Sequence, residues 1–262
     1  MRRVRARSFF KTVFCCLIVL IFAVPVLYMF LNSFIKDGEF SLNSYYQLLL
    51  SRPFFLAKFW NSLILSGIIV AGQAVVSCMA GFAFAKYAFR GKHIIFFLLV
   101  VLMILPVQSM LVPNYIMFDR IEQLDTWWPL IVSGVFTPFG TFLMTQVFRA
   151  VPNEIIEASR IDGAGTVRIL VSILTPAARV GFISLALLVF IDSWNMVEQP
   201  IAFLSDASKY PLSVFLAYFN RNNIALSFAC GVLSLLPGLH LFLYYRNELT
   251  QGIEYVGTVK KR

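Results

Sequence analysis

Six apolar stretches, near residues 13–34, 61–85, 94–116, 127–148, 180–203 and 224–245, punctuate this chain. A hydrocarbon layer about 30 Å thick needs about 20 apolar residues per helical crossing, and each stretch reaches that length. None shows the alternation of a strand, so helices must satisfy the backbone where water is absent. Composition agrees: 59% of the 262 residues are hydrophobic and 13% charged, against roughly 25% charged in a soluble domain. The mean hydropathy is +0.79. The expectation is an all-α integral membrane protein of six transmembrane helices. The first stretch follows Arg2, Arg3, Arg5, Arg7 and Lys11 as a signal peptide would, but its length and the lack of a small-x-small cleavage site make it an uncleaved span.

Charge orients the spans. Six crossings return both termini to one side, and placing that side in the cytoplasm puts sixteen of the 22 Lys and Arg residues there. Only Lys36, Arg52, Lys58, Arg120, Lys209 and Arg221 then lie outside. The positive-inside rule selects this arrangement. The net charge of +9 accordingly reports topology and contact with anionic lipid, not nucleic-acid binding. Cys15, Cys16, Cys78 and Cys230 all fall in expected spans, where they fill apolar space and form no exported disulfide framework. No linker or low-complexity tract interrupts the chain, which reads as one transmembrane domain, 1–262.

Between the fourth and fifth spans lies a polar island, about 149–179, on the cytoplasmic side. Val151, Ile155, Ala158 and Ile161 recur at spacings of four, three and three, which predicts a short helix with one apolar stripe; Glu154, Glu157 and Arg160 face elsewhere. Gly163 and Gly165 stop that helix. Thr166 is placed to cap a second, Val167 to Leu174, ahead of Pro176. A helix, a glycine-bent turn and a helix displayed beside a membrane form an element shaped to be gripped.

Enzyme chemistry is missing from the sequence. It holds no G-x-x-x-x-G-K-[ST] run to cradle phosphates, and His93 and His240 are not spaced as a metal pair. Polar residues inside the spans carry more information. Asp192 falls about twelve residues into the fifth span, about 18 Å deep at 1.5 Å per residue, where a carboxylate should face a wet cavity or a partner. Asn195, three positions on, shares its face. Gln73 and Gln108 suit helix-to-helix hydrogen bonds, and Ser77, Gly81 and Ala85 form a small-residue seam for close packing. Trp127 and Trp128 mark an outer membrane interface. The segment 35–60, with Phe40, Leu42, Tyr45, Tyr46 and Leu48, is expected along the outer surface.

The run Glu157-Ala158-Ser159, then Gly163, then Ile173 and Pro176 resembles the EAA loop of permease subunits of bacterial ABC importers. Ser159 and Thr175 depart from its second Ala and its Leu. Asn61-Ser62, Ala83-Phe84-Ala85 before Arg90-Gly91-Lys92, Ile161-Asp162-Gly163-Ala164, Trp194-Asn195 and a tail with Gly252, Gly257, Val259 and Lys260 are similar to the sugar-importing branch that includes the maltose permease. The resemblance implies a type I ABC importer permease fold. It implies Glu157, Ala158, Ser159, Asp162 and Gly163 as the loop that couples to an ATPase. The translocation path is expected at Asp192, by its depth, with Asn195 on its face and neighbouring Trp194; the acids at Asp192 and Glu198 depart from the apolar or neutral residues common in the branch. Implied partners are a second permease, two ATPase subunits and an extracytoplasmic binding protein in a bacterial cytoplasmic membrane. ATP and Mg would sit on the ATPases, with no cofactor or metal on this chain. Met196 stands where the branch often has Asp, so no sugar contact carries over to that position. A permease for another small polar solute and an ion-coupled secondary transporter stand as alternatives.

Overall fold

The computed structural model describes residues 2–36, 38–51, 54–217 and 224–258. Arg52, Arg221 and the end of the tail (Val259, Lys260, Lys261, Arg262) lie outside the described residues. Helices dominate, as the missing alternation requires: α1 (Arg2–Asn32), α2 (Asn43–Tyr46), α3 (Phe54–Lys86), α4 (Lys92–Leu102), α5 (Val107–Arg120), α6 (Trp128–Val135), α7 (Pro138–Ala150), α8 (Asn153–Ile161), α9 (Thr166–Ile169), α10 (Thr175–Ala177), α11 (Arg179–Trp194), α12 (Glu198–Phe203), α13 (Leu212–Ala217) and α14 (Ile224–Thr258). Strands β1 (Ile35–Lys36) and β2 (Glu39–Phe40) form a small hairpin. Four described helical segments are long and apolar enough to cross a membrane, and two bent pairs raise the number to six. The fold is all-α and membrane-embedded, as expected.

The chain divides into two compact units. The first comprises residues 1–57 and 218–236. Within it α1 is apolar around its whole circumference and exposed along Thr12–Asn32, the pattern of a helix whose neighbour is lipid. Phe228 meets Tyr28 edge-on at 5.9 Å. The segment after α1 is more ordered than a surface strand: the Ser33 hydroxyl pairs with the Tyr45 hydroxyl at 2.7 Å, and Phe34 packs on Phe40 and Tyr45. Phe40, Leu42 and Tyr46 are exposed, but Leu48 is buried.

The second unit comprises residues 58–217 and 237–262. Its core joins Leu65, Ile69 and Phe82 of α3 to Leu130 of α6, Met144 and Phe148 of α7, and Leu185 and Val189 of α11. Small residues set how close these helices come. At Gly81 an added Cβ would lie 2.7 Å from the Met144 Cβ and 3.0 Å from backbone atoms of α7, so the expected seam is a true close crossing. Gln73 donates to the Thr137 hydroxyl, which satisfies a buried amide at the break between α6 and α7.

Two expected spans are not straight helices. The stretch 94–116 bends by 101° between α4 and α5. Pro106 is the cause: it has no N–H to continue the ladder and adopts φ −66, ψ 137, while the Leu102 carbonyl is taken by Leu105 N at 3.3 Å. The stretch 180–203 is interrupted after Trp194. Pro200 cannot donate to the Met196 carbonyl four residues back, and that carbonyl accepts instead from the Ser213 hydroxyl. The chain therefore opens at 195–197 before α12 restarts and packs Phe203 against Phe118 of α5. A further bend of 85° separates the Thr166–Ala177 segment from α11.

Candidate functional site

The polar island folds as the expected helix, turn and helix. In α8 only Ile156 is buried; Ile155 is 43% and Ile161 86% exposed. Three of the four stripe residues, Ile155, Ala158 and Ile161, thus face outward, because the core reaches this helix from the side of Ile156; Val151, ahead of the helix, is buried. Exposed Ile155, Ala158 and Ile161 stand beside exposed Glu157 and Asp162, a surface with both apolar and charged groups to offer.

The turn is closed by backbone bonds. Ala164 N donates to Ser159 O at 2.9 Å and Gly163 N to Arg160 O at 3.0 Å, with Gly163 at φ +80. This is a Schellman termination whose left-handed residue is Gly163. Ser159 adds a bond from its hydroxyl to the Ile155 carbonyl at 2.6 Å, so the departure from Ala is absorbed within the helix. Thr166 does not cap the second helix. Gly165 occupies that position with no side-chain cap, and the Thr166 hydroxyl instead meets the Tyr87 hydroxyl at 3.3 Å. The second helix also runs past Leu174: the ladder widens over Leu170–Leu174, the Thr175 hydroxyl donates to Leu170 O at 2.8 Å, and Pro176 lies inside α10.

What holds the loop in place was invisible to sequence reasoning. Val151, Ile156, Ile169, Leu174 and Ala178 all belong to the buried core of the second unit, and each large aliphatic so buried contributes about 2 kcal/mol. At the end of α3, Lys86 Nζ donates to Val151 O at 2.5 Å and to Asn153 Oδ1 at 2.8 Å. The next residue, Tyr87, lies under the Arg160 guanidinium at 5.5 Å and packs edge-on against Phe82 at 5.2 Å. The result is a rigid base with an exposed crest.

The intramembrane candidates separate. Asp192 and Asn195 line one cavity of about 330 Å³ at the opening between α11 and α12, with Gln108, Glu198 and Gln199. Asn195 Nδ2 donates to Ile191 O at 2.8 Å, and Gln108 Nε2 to Glu198 Oε1 at 3.2 Å. Trp194 is not part of that lining. It is buried, stacked on Phe190 at 5.4 Å and edge-on to Phe59 at 5.6 Å.

A second polar assembly ties the segment 205–212 to distant elements. Asp125, at φ +57, accepts from Ser205 N and Asp206 N at 3.0 and 2.9 Å and pairs with Lys209 at 2.8 Å. The Lys209 ammonium and those two N–H groups lower the Asp125 carboxyl to about 2. Asp206 is lowered by the Ser208 hydroxyl and N–H. Trp127 Nε1 donates to Lys209 O at 2.9 Å, so this tryptophan is a structural tie while Trp128 is exposed. From α3, Asn61 Nδ2 reaches Ser208 O at 2.8 Å and Tyr210 O at 3.1 Å, and Lys58 donates to Ala207 O.

A family model described as binding-protein-dependent transport system inner membrane component matches residues 73–247. The chain is 24% identical over 270 residues to the arabinooligosaccharides transport system permease protein of Halalkalibacterium halodurans, covering 97% of this chain and 96% of that protein. It is 32% identical over 158 residues to the sn-glycerol-3-phosphate transport system permease protein of Yersinia enterocolitica, covering 60% of this chain and 56% of that protein. A chain in the crystal structure of a bacterial ABC transporter involved in the import of the acidic polysaccharide alginate shares its fold, with a TM-score of 0.84 at 19% identity over 94% of this chain and 98% of that one.

Proposed function

The chain belongs to the binding-protein-dependent transport system inner membrane components, and we propose that within that family it passes a carbohydrate delivered by an extracytoplasmic binding protein. It is a membrane permease subunit of an ABC importer, a transport component and not an enzyme. The permease names of its relatives, the arabinooligosaccharide permease first among them, support the choice of a carbohydrate.

One observation carries the mechanism: a loop anchored at its base by buried Ile156 and Ile169 and by Lys86, yet exposed along Glu157, Ala158, Asp162 and Gly163. Ser159, half-buried, stiffens that crest. Force applied to such a crest travels to α3, α7 and α11 with little lost in bending. This loop sits in a cleft of one of two ATPase subunits, which hold ATP and Mg, and their closure rotates the helices that line the path. A second, related permease completes the pore. Both termini and the loop face the cytoplasm, in accord with the charge distribution, and the solute passes Asp192 and Asn195. Purification from native membranes followed by mass measurement of the intact complex tests the reading. The expected species contains this chain, a second permease and an ATPase pair; transport by this chain alone would refute it.

A further inference from the structure

The cavity between α11 and α12 has an uneven stock of hydrogen-bonding groups. Two of its amide donors are already used inside the protein, Gln108 on Glu198 and Asn195 on the Ile191 carbonyl. Acceptors remain. Asp192 makes no hydrogen bond or ion pair among the described residues, Glu198 keeps an oxygen beyond the one that Gln108 meets, and Gln199 Oε1 is buried without a partner. Neither Asp192 nor Glu198 is ion-paired to a lysine or arginine among the described residues. At about 330 Å³ the space falls in the lower range of small-ligand sites.

We propose that this cavity selects its solute by charge: it takes a hydrogen-bond donor that is neutral or cationic, a polyhydroxyl sugar or amino sugar, and refuses solutes bearing carboxylate or phosphate. A hydroxyl or ammonium hydrogen supplies what the accessible carboxylates of Asp192 and Glu198 lack. An anion would meet two negative groups where low-dielectric walls focus the field. In this respect the chain parts from the alginate and sn-glycerol-3-phosphate systems, whose solutes are anions. The inference rests on the reading of this cavity as the solute path.

A thiol at position 195 reads the cavity's charge without knowledge of the solute. In the assembled importer, with Cys15 and Cys16 replaced by serine, Asn195→Cys is treated with three methanethiosulfonates: a cationic one (trimethylammonioethyl) and an anionic one (sulfonatoethyl) of similar size, and a smaller neutral one (methyl). Rates are corrected for the parent without the introduced thiol; the cation-to-anion ratio at one thiol cancels its thiolate fraction, and division by the ratio for free mercaptoethanol removes the reagents' intrinsic difference in reactivity. The expected corrected ratio is about tenfold or more, as two carboxylates within a few ångströms produce in a partly screened site. It should fall toward one in an Asp192→Asn, Glu198→Gln background. A ratio near one with the acids present, or one unchanged by their neutralisation, overturns the charge selection while leaving the path intact. If the neutral reagent also fails to react, with and without ATP, the cavity is not on the solute path and both readings fall. Met196→Cys, on the same lining, serves as the reporter should Asn195→Cys not assemble.

Discussion

The Arg160 guanidinium lies over the ring of Tyr87, 5.5 Å from its centroid, and so joins the crest of the exposed loop to the end of α3, 73 residues earlier. The Tyr87 hydroxyl reaches Thr166 on the far side of the turn, and Lys92 holds the Tyr87 carbonyl at 2.8 Å. One aromatic side chain thus touches both arms of the loop. An exposed cation–ring contact contributes about 0.5–1 kcal/mol. Tyr87→Ala should raise the rate of tryptic cleavage after Arg160 and Arg168 by about two- to fivefold, while Tyr87→Phe, which keeps the ring, stays near the parent. Equal cleavage in both variants would mean that the ring does not brace the loop.

Gly163 has open space around its Cα, and its φ of +80 is the only obstacle to a side chain. A Cβ in this region costs about 1 kcal/mol or more, and a β-branched residue costs most. Gly163→Val and Glu157→Lys should leave the spans inserted but abolish uptake, the first by re-aiming the turn and the second by reversing charge on the crest. Gly163→Asn, which tolerates the left-handed region, should retain most uptake. ATPase retained on membranes and ATP turnover, measured beside uptake, separate loss of grip from loss of coupling.

The close crossing at Gly81 makes a sharper stability prediction. Gly81→Ala places a methyl group against Met144 and the α7 backbone and should cost about 1–3 kcal/mol. Gly67→Ala on the same helix meets nothing within 4 Å and should be neutral or slightly stabilising. The midpoint of heat-induced loss of the monodisperse complex, read by size exclusion, should fall for the first and not for the second.

Asp125 gives a pH dependence with a definite sign. Its carboxyl drops from the usual 3.8 to about 2, so the folded state favours the ionised form. The stability it supplies is fully present above about 4 and is lost as pH falls toward 2. Because Trp127 bonds to the Lys209 carbonyl of the same assembly, its emission, isolated by difference against Trp127→Phe, should stay constant from pH 8 to 5 and change only below about 4. A transition near pH 6 would show that another group controls this segment.

Asp192 lines the cavity as a carboxylate without a described partner. Asp192→Leu removes both acceptors and should impair uptake strongly, whereas Asp192→Asn keeps one acceptor and is milder. Uptake at equal membrane abundance decides between them; full activity in the leucine variant would mean that the carboxylate merely meets water.

Apolar runs of about 20 residues and the glycine three positions after Arg160 are legible in the sequence, because a span is one contiguous apolar stretch and a helix terminates through bonds to residues no more than five positions away. The exposed crest and the pairing of Asp192 with Asn195 on one face followed from the same short-range periodicity. Which side of α8 is buried did not. Ile155 and Ile156 are adjacent and chemically alike, and only the approach of the surrounding core distinguishes them. Trp194 is expected with Asn195 because the two form the Trp-Asn pair of the resemblance, but packing between Phe59 and Phe190 takes it away from the cavity. Pro106 and Pro200 marked places where a ladder could break, yet proline occurs inside α1, α5 and α14 without ending them. The break after Trp194 is stabilised by Ser213, which takes the Met196 carbonyl from 17 residues away. Lys86 with Val151 and Asn61 with Ser208 span still longer separations. Tertiary structure alone decided such contacts, since a hydrogen bond between groups 65 or 147 residues apart depends on where the intervening helices turn, and no local property of either residue encodes that.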